Sequence, residues 1–422
     1  MLSDARFKFA LESLKKCMLM EPKQNIFFSP HLIYHDLLMV YFGASDDIEK
    51  SLKKVLYIPD NISRDTLQQN YVSTENNQFC YIMKGPSDSF ECRISSKLWL
   101  SNSKSLKPET SSLFSSAHQT MKSSDFKSVP DLARRFINFS ISNTTERTIS
   151  DLLPPDYIDS NTNIVMTSAI YLKGLFHNGF EDCELNTPDD CSKYDKKLKF
   201  VNKPSSSSGR KMRNDKEYMF NSFIEKLEQL GLKSKVYVYN VSLKRNEISI
   251  FFLDTKLFQF NPERDAGSAE IEKDKIIQLM ELLTTEVVSS YLRNILEMGL
   301  PYQNMLFTQL QIKQNLPINK LLQMLSVPEL MSSGQIELPA FSDDVTLGNA
   351  LHQVSIEMTK DNIKAAASNA FFDINSMQHV QTTDIPVDID FPSICLIYDK
   401  RHHNLLFCGI LWDRKDLPVD EK

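Results

Sequence analysis

An α+β fold is what this sequence predicts, on three observations. Apolar residues recur at helical spacing mainly in the first half of the chain, and at alternating or continuous strand spacing mainly in the second. No βα unit repeats, as a parallel α/β fold would require. No glycine-rich phosphate loop and no clear linker interrupts the chain. With 422 residues, 41% hydrophobic and 24% charged, the composition is that of a globular protein able to bury a sizeable core.

The elements follow in order. Residues 4–20 place Phe7, Ala10, Leu11, Leu14 and Met18 on one helical face. Asn25–Pro30 reads as a short strand ended by proline. Leu32–Phe42 is a nearly all-apolar helix closed by Gly43, and Asp46–Leu56 begins another. Residues 63–88 are polar and read as loop. Cys92–Leu100 alternates as a strand. Pro130–Leu153 reads as a helix stopped by Pro154 and Pro155. Asn163–Leu172 is apolar on both faces and so predicts a central strand. Lys203–Asp215 is a flexible insertion by composition. Lys235–Leu253 predicts a hairpin. Lys275–Met298 predicts a helix, Leu306–Ile312 a strand and Asn319–Leu325 a short helix. Ile394–Ile397 and Leu405–Leu411 read as buried strands joined by DKRHHN.

Composition also excludes some functions. A net charge of −6 leaves no basic footprint for nucleic acid, and Lys196–Lys199 and Arg210–Arg213 are short enough to be solvated loops. No stretch reaches the roughly 18 apolar residues of a membrane-spanning helix. The opening MLSDARFKFALESLKKCMLM lacks the apolar core and cleavage site of a signal peptide. A cytoplasmic location is therefore the reading from the chain as written, absent an upstream leader. The seven cysteines (Cys17, Cys80, Cys92, Cys183, Cys191, Cys395, Cys408) match no metal spacing, so free thiols are expected and no metal or cofactor is assigned. Asn61, Asn138, Asn143 and Asn240 begin glycosylation sequons of the kind an Asn- and Ser-rich chain generates by chance. No nucleophile stands beside a general base in a recognisable motif, so the chain does not read as an enzyme.

One segment resists assignment. KDNIKAAASNAFFDINSMQHVQTTDIP, Lys360–Pro386, holds three consecutive alanines and no glycine. Alanine is the best helix former, yet small residues also let a strand slide between its neighbours. From this segment alone, helix and strand stand level.

Four blocks carry a resemblance: NIFFSPHLIYHDLLMVYFGA (Asn25–Ala44), TTERTISDLLPPDYIDSNTNIVMTSAIYLKG (Thr144–Gly174), LHQVSIEMTKDNIKAAASNA (Leu351–Ala370) and FPSICLIYDKRHHNLLFCGILWD (Phe391–Asp413). In this order and spacing they resemble the serpin family from about Leu11 to Arg414, the last block being closest to insect members. The resemblance implies one domain over residues 1–422, with three β-sheets, about nine helices and an exposed reactive loop at about 360–386. It implies a suicide-substrate inhibitor of serine proteases, and it leaves an extracellular location open beside the cytoplasmic one. The protease cuts the loop, is held as an acyl-enzyme, and is disabled as the loop inserts into the large sheet. A serpin-fold binding or carrier protein whose loop does not insert is the alternative.

The same resemblance assigns residues. The hinge is Asn362, Ile363, Lys364, Ala365, Ala366, Ala367 and Ser368. Alternation then sends Ile363, Ala365, Ala367, Asn369, Phe371, Asp373 and Asn375 inward, and Lys364, Ala366, Ser368, Ala370, Phe372 and Ile374 outward. Asn362 replaces a hinge glycine, Lys360 replaces a glutamate, and Asn369 and Asp373 would be buried polar groups. A cluster under the large sheet would be built on Ser29 and His352, with Leu32 and Ser168 in place of its usual other members; Phe176 stands at a tryptophan position. The scissile bond is expected at Ser376–Met377, within Asn375–Gln381. No Lys or Arg lies between Ala365 and Asp399, so an elastase-like or chymotrypsin-like serine protease, not a trypsin-like one, is the expected partner of a monomer.

Overall fold

The computed structural model describes residues 2–20, 25–86, 89–177, 180–182, 198–200, 210–232, 236–244, 247–255, 269–299, 306–307, 310–325, 336–373 and 393–412. The helices are α1 (Ser3–Met20), α2 (Pro30–Gly43), α3 (Asp46–Val55), α4 (Arg64–Asn70), α5 (Asn76–Phe79), α6 (Pro108–Ser111), α7 (Pro130–Thr144), α8 (Arg210–Gln229), α9 (Ala269–Leu283), α10 (Glu286–Met298) and α11 (Ile318–Met324). The strands are β1 (Ile26–Phe28), β2 (Ile82–Lys84), β3 (Phe90–Ser101), β4 (Gln119–Ser124), β5 (Ile164–Leu175), β6 (Phe180–Asp182), β7 (Leu198–Phe200), β8 (Tyr237–Ser242), β9 (Ile248–Asp254), β10 (Leu306–Phe307), β11 (Leu310–Leu316), β12 (Ile336–Glu337), β13 (Thr346–Leu347), β14 (Asn349–Met358), β15 (Asn362–Phe372), β16 (Ser393–Asp399) and β17 (Asn404–Leu411).

They form three sheets and a short β12–β13 ladder. The large sheet runs β11-β14-β15-β5-β3-β2, with β4 parallel to β3. A second sheet runs β1-β17-β16-β9-β8, and a third β10-β7-β6. The inner faces of the first two meet in one apolar layer, where Ile94, Ile170, Val354 and Ile356 face Ile250, Phe252, Ile397 and Leu406. Aligned burial of this kind is the main favourable term of the fold. Helix α2 is buried along its whole length, which is why LIYHDLLMVYFG shows no polar face. On the outer face of the large sheet, α7 lays Ala133, Ile137 and Ile141 over Trp99, Val165 and Tyr171.

Some expected boundaries move. The helix expected to reach Leu153 ends at Thr144, because Glu146 and Arg147 take positive φ values of 48° and 60°. Residues 64–79, expected as loop, are largely helical: Ser63 Oγ accepts from the Thr66 amide (3.2 Å), and Leu67, Tyr71 and Phe79 supply buried anchors. The expected 275–298 helix is two helices broken at Thr284-Thr285. Residues 203–209 of the expected insertion lie outside the described residues, and Arg210–Asp215 opens α8. Cys17, Cys80, Cys92, Cys395 and Cys408 are buried free thiols; Cys183 and Cys191 lie outside the described residues. Asn138, a sequon asparagine, is 4% exposed and exchanges hydrogen bonds with the Leu153 backbone.

Candidate functional site

The first half of the expected exposed loop is not exposed. Residues 362–372 form β15, antiparallel to β14 on one side and to β5 on the other. The correction has a physical cause. The segment offers a ladder on both edges, small side chains through its middle and apolar groups at both ends. The sheet offers it two continuous neighbours. The expected scissile pair Ser376–Met377, with Asn375 and Ile374, lies outside the described residues.

The hinge is a tight turn after β14. The Thr359 amide donates to Asn362 O (2.9 Å), and Thr359 Oγ1 accepts from the amides of Asp361 and Asn362 (3.3 Å each). Asn362 is not among the positive-φ residues, so the inserted conformation does not need the glycine it replaces. Lys360 is exposed in the turn. Phe176 anchors the far side, its amide donating to Asp361 O (3.0 Å).

Both faces of β15 follow the expected alternation. Ile363, Ala365 and Ala367 join the layer between the two larger sheets, and Phe371 joins the main core. Ala366, Ala370 and Phe372 point the other way, yet they are buried too, beneath α7 and the segment that follows it. Phe372 meets the Tyr157 ring at 5.8 Å between centroids. Alanines therefore suit both faces: a larger side chain at 366 or 370 would lift the helix off the sheet. Lys364 is half-buried.

The buried cluster is larger than the sequence suggested. Ser29 caps α2: its Oγ accepts from the Leu32 amide (3.3 Å) and donates to Leu406 O (2.7 Å). The Ser29 amide donates to His352 Nε2 (3.2 Å). With Nε2 accepting, the proton sits on Nδ1, which donates to Asn369 Oδ1. Asn369 Nδ2 then donates to Asp36 Oδ2 (2.7 Å), which also accepts from Ser168 Oγ (2.6 Å). Ser368 Oγ donates to Ser168 O (2.8 Å). His35 Nδ1 lies 3.6 Å from Asp36 Oδ1, and its Nε2 contacts Tyr71 Oη at 2.7 Å. Burial holds the His352 imidazole down at about 4, against the opposing pull of its bond to Asn369 and of Asp36, so it is the neutral ring.

Thus Ser29, His352 and Ser168 do come together, Leu32 contributes only its backbone and an apolar side chain, and Asp36 is the member sequence reasoning missed. The signal was present: a charged residue in a helix with no polar face must have a partner. Asp373, the second expected polar burden, accepts from the Asn163 amide at Oδ2 (2.6 Å), and burial raises its carboxyl to about 6. The turn at His402 is knitted in, with His402 Nδ1 2.7 Å from Asp399 Oδ2 and its ring 4.1 Å from that of Tyr81.

This geometry, a large sheet holding a C-terminal segment as a middle strand above a hydrogen-bonded cluster, is that of one protein class. The family model described as Serpin (serine protease inhibitor) matches residues 4–199 and 269–413. The chain belongs to the serpin family. It is 24% identical over 414 residues to serine protease inhibitor 88Ea of Drosophila melanogaster, covering 97% of this chain and 90% of that one. It is likewise 24% identical over 416 residues to leukocyte elastase inhibitor A of Rattus norvegicus, covering 97% and 98%. Among solved structures, a loop-inserted, cleaved ovalbumin mutant aligns with a TM-score of 0.66 at 16% identity, covering 99% of this chain and all (100%) of that one.

Proposed function

We propose that the chain is a suicide-substrate inhibitor of serine proteases, and not a catalyst, working by cleavage and insertion of its reactive loop. The observation that carries this reading is that residues 362–372 complete the large sheet in full register, with Asn369 met by His352 and Asp36.

The driving force follows from the residues. Each ladder hydrogen bond contributes about 1 kcal/mol net, and ordering each residue costs about as much. The surplus resides in burying Ile363, Phe371 and Phe372, each worth about 2 kcal/mol, and in the closure of the cluster. In a conformer whose loop still lies outside the sheet, the loop's far end is tethered at β16, which opposes entry of the strand. Cutting removes the tether. An acyl-enzyme still attached would then be drawn along with the strand as it zips from Ile363 toward Asp373.

The bond proposed for cleavage is Ser376–Met377. The absence of Lys and Arg from Ala365 to Asp399 favours proteases with apolar primary pockets, and a relative named for elastase inhibition is in keeping with this. The test is incubation with elastase-like and chymotrypsin-like proteases followed by a denaturing gel. A covalent band at the summed mass is expected, together with a large rise in melting temperature after the loop is nicked. Nicking with neither band nor rise would return the protein to the binding or carrier class. Ile363→Arg should abolish the band, because it places a charge at a fully buried inward position.

A further inference from the structure

Helix α7 carries a second apolar stripe beside the one it buries. Leu132, Phe136 and Phe139 are 49%, 59% and 63% exposed, and Val129 at its start is 43% exposed. Scattered exposed apolar residues need no explanation, but a contiguous set does. These four line one wall of a cleft of about 640 Å³ between α7 and strands β3 and β4. That is the size range of small-molecule sites, roughly 300–1,000 Å³, and so is the character: aromatic walls with a few polar groups.

The charged groups are mostly basic. Lys97 and Lys122 flank Trp99 on the floor, Lys122 lying directly opposite it across the β3–β4 pair. Among the described residues, Lys97 donates to Ser140 Oγ and has no carboxylate partner, and Lys122 makes no ion pair. Burial first, and then the charge of Lys122, hold the Lys97 ammonium below the ordinary lysine value. An incoming anion would relieve both effects. Arg93, also on the wall, is already paired with Glu91 and Glu146. Asp125, the carboxylate of the wall, accepts from the Ser128 amide (2.9 Å).

We propose that this cleft binds a monomeric amphiphilic carboxylate of the fatty-acid class, its head between Lys97 and Lys122 and its hydrocarbon against Leu132, Phe136 and Phe139. An apolar wall alone would accept any oily surface. Lys97, half-buried, and Lys122, exposed, stand beside that wall and select a slender anion. Val129 to Phe139 spans about 15 Å of helix, a length suited to an extended alkyl chain. No residue of 362–372 lines the cleft, so its binding is read without protease trapping.

The full-length chain is titrated with dansylated undecanoic acid, and the probe is then competed with oleate or with oleyl alcohol. Saturable one-to-one binding is expected, with oleate displacing the probe at least about tenfold more effectively than the alcohol. The Lys97→Met/Lys122→Met variant should lose about tenfold or more for oleate and keep its affinity for the alcohol. Phe136→Asp should lose both. Unchanged melting temperatures will show that the variants are folded. Absence of saturable uptake overturns the proposal, as does equal competition by alcohol and acid. Retention on phosphatidylserine vesicles without uptake of the monomeric probe also overturns it, in favour of a membrane-binding face.

Discussion

Asn369 and Asp373 sit on the same face of β15 and are both buried, at 0% and 7% exposure, yet the protein treats them differently. At Asn369 the sheet is closed above and below, and every polar atom of the amide is given a side-chain partner prepared by α2 and β14. At Asp373, just past the end of the strand, the partners include backbone, and the carboxyl is pushed up to about 6, first by burial and against the pull of the Asn163 amide. The comparison teaches where the burial of a polar group is built in and where it is merely tolerated. A neutral amide in the middle of the sheet is wired into a chain of donors. A carboxylate at its rim carries a desolvation burden that protonation can lift.

The largest expected effect breaks the wired end. Asn369→Leu removes one of the two donors to Asp36 Oδ2 and leaves the His352 Nδ1–H without its acceptor. Leaving buried hydrogen-bonding groups unsatisfied in this way costs about 1–3 kcal/mol for each group, read as a lower midpoint of guanidinium unfolding. Adding Asp36→Leu to the same chain should cost less than Asp36→Leu costs alone, because the Asn369 Nδ2 donor it would otherwise orphan is already gone. A double variant weaker than the sum of the singles would break the assignment of Asp36 to this network.

The rim should respond in the opposite direction. Asp373→Asn removes a carboxyl whose folded value, about 6, stands about 2 units above the ordinary 3.8. At about 1.4 kcal/mol per unit, the variant should gain up to roughly 3 kcal/mol at neutral pH. The sign is fixed by linkage. Between about pH 4 and 6 the folded state holds more protons at this site than the unfolded one, so its stability falls as pH rises through that window. The difference between variant and wild type should therefore grow from about pH 4 to about pH 6 and be flat outside it. Plotting the difference matters, because His352, held down at about 4, adds stability as pH rises toward its ordinary 6.5 and masks the fall in the wild type alone.

The same comparison shows what the sequence could reveal. The faces of Ile363–Phe371 were legible only through the resemblance, which set the register for a strand's period of two, since both faces carry alanines. The four blocks that fix the family were legible as well. Asp36 was hidden because it is not among the positions that the resemblance assigns to the cluster, although a lone aspartate in LIYHDLLMVYFG is itself an anomaly. The burial of Ala366, Ala370 and Phe372 was not legible at all: nothing local says that α7 crosses the sheet above them. The helices of residues 64–79 were hidden for a third reason, since their anchors Leu67, Tyr71 and Phe79 are too few to make a stripe.

The smallest expected effect tests the edge of the contrast, where β15 begins. Lys364 stands directly between Glu357 on β14 and Lys173 on β5. Directly opposed side chains interact by about 0.2–1 kcal/mol, favourably for opposite charges and unfavourably for like ones. Lys364 thus gains on one side what it loses on the other, and Lys364→Glu merely exchanges the two sides. Its melting temperature in the strand-inserted form should stay within about 2 °C of wild type, since surface changes of this kind are worth about 0.5 kcal/mol or less. A larger shift in either direction would mean that position 364 is discriminated as sharply as 369, and that the polar wiring of the strand starts at the hinge, not at its middle.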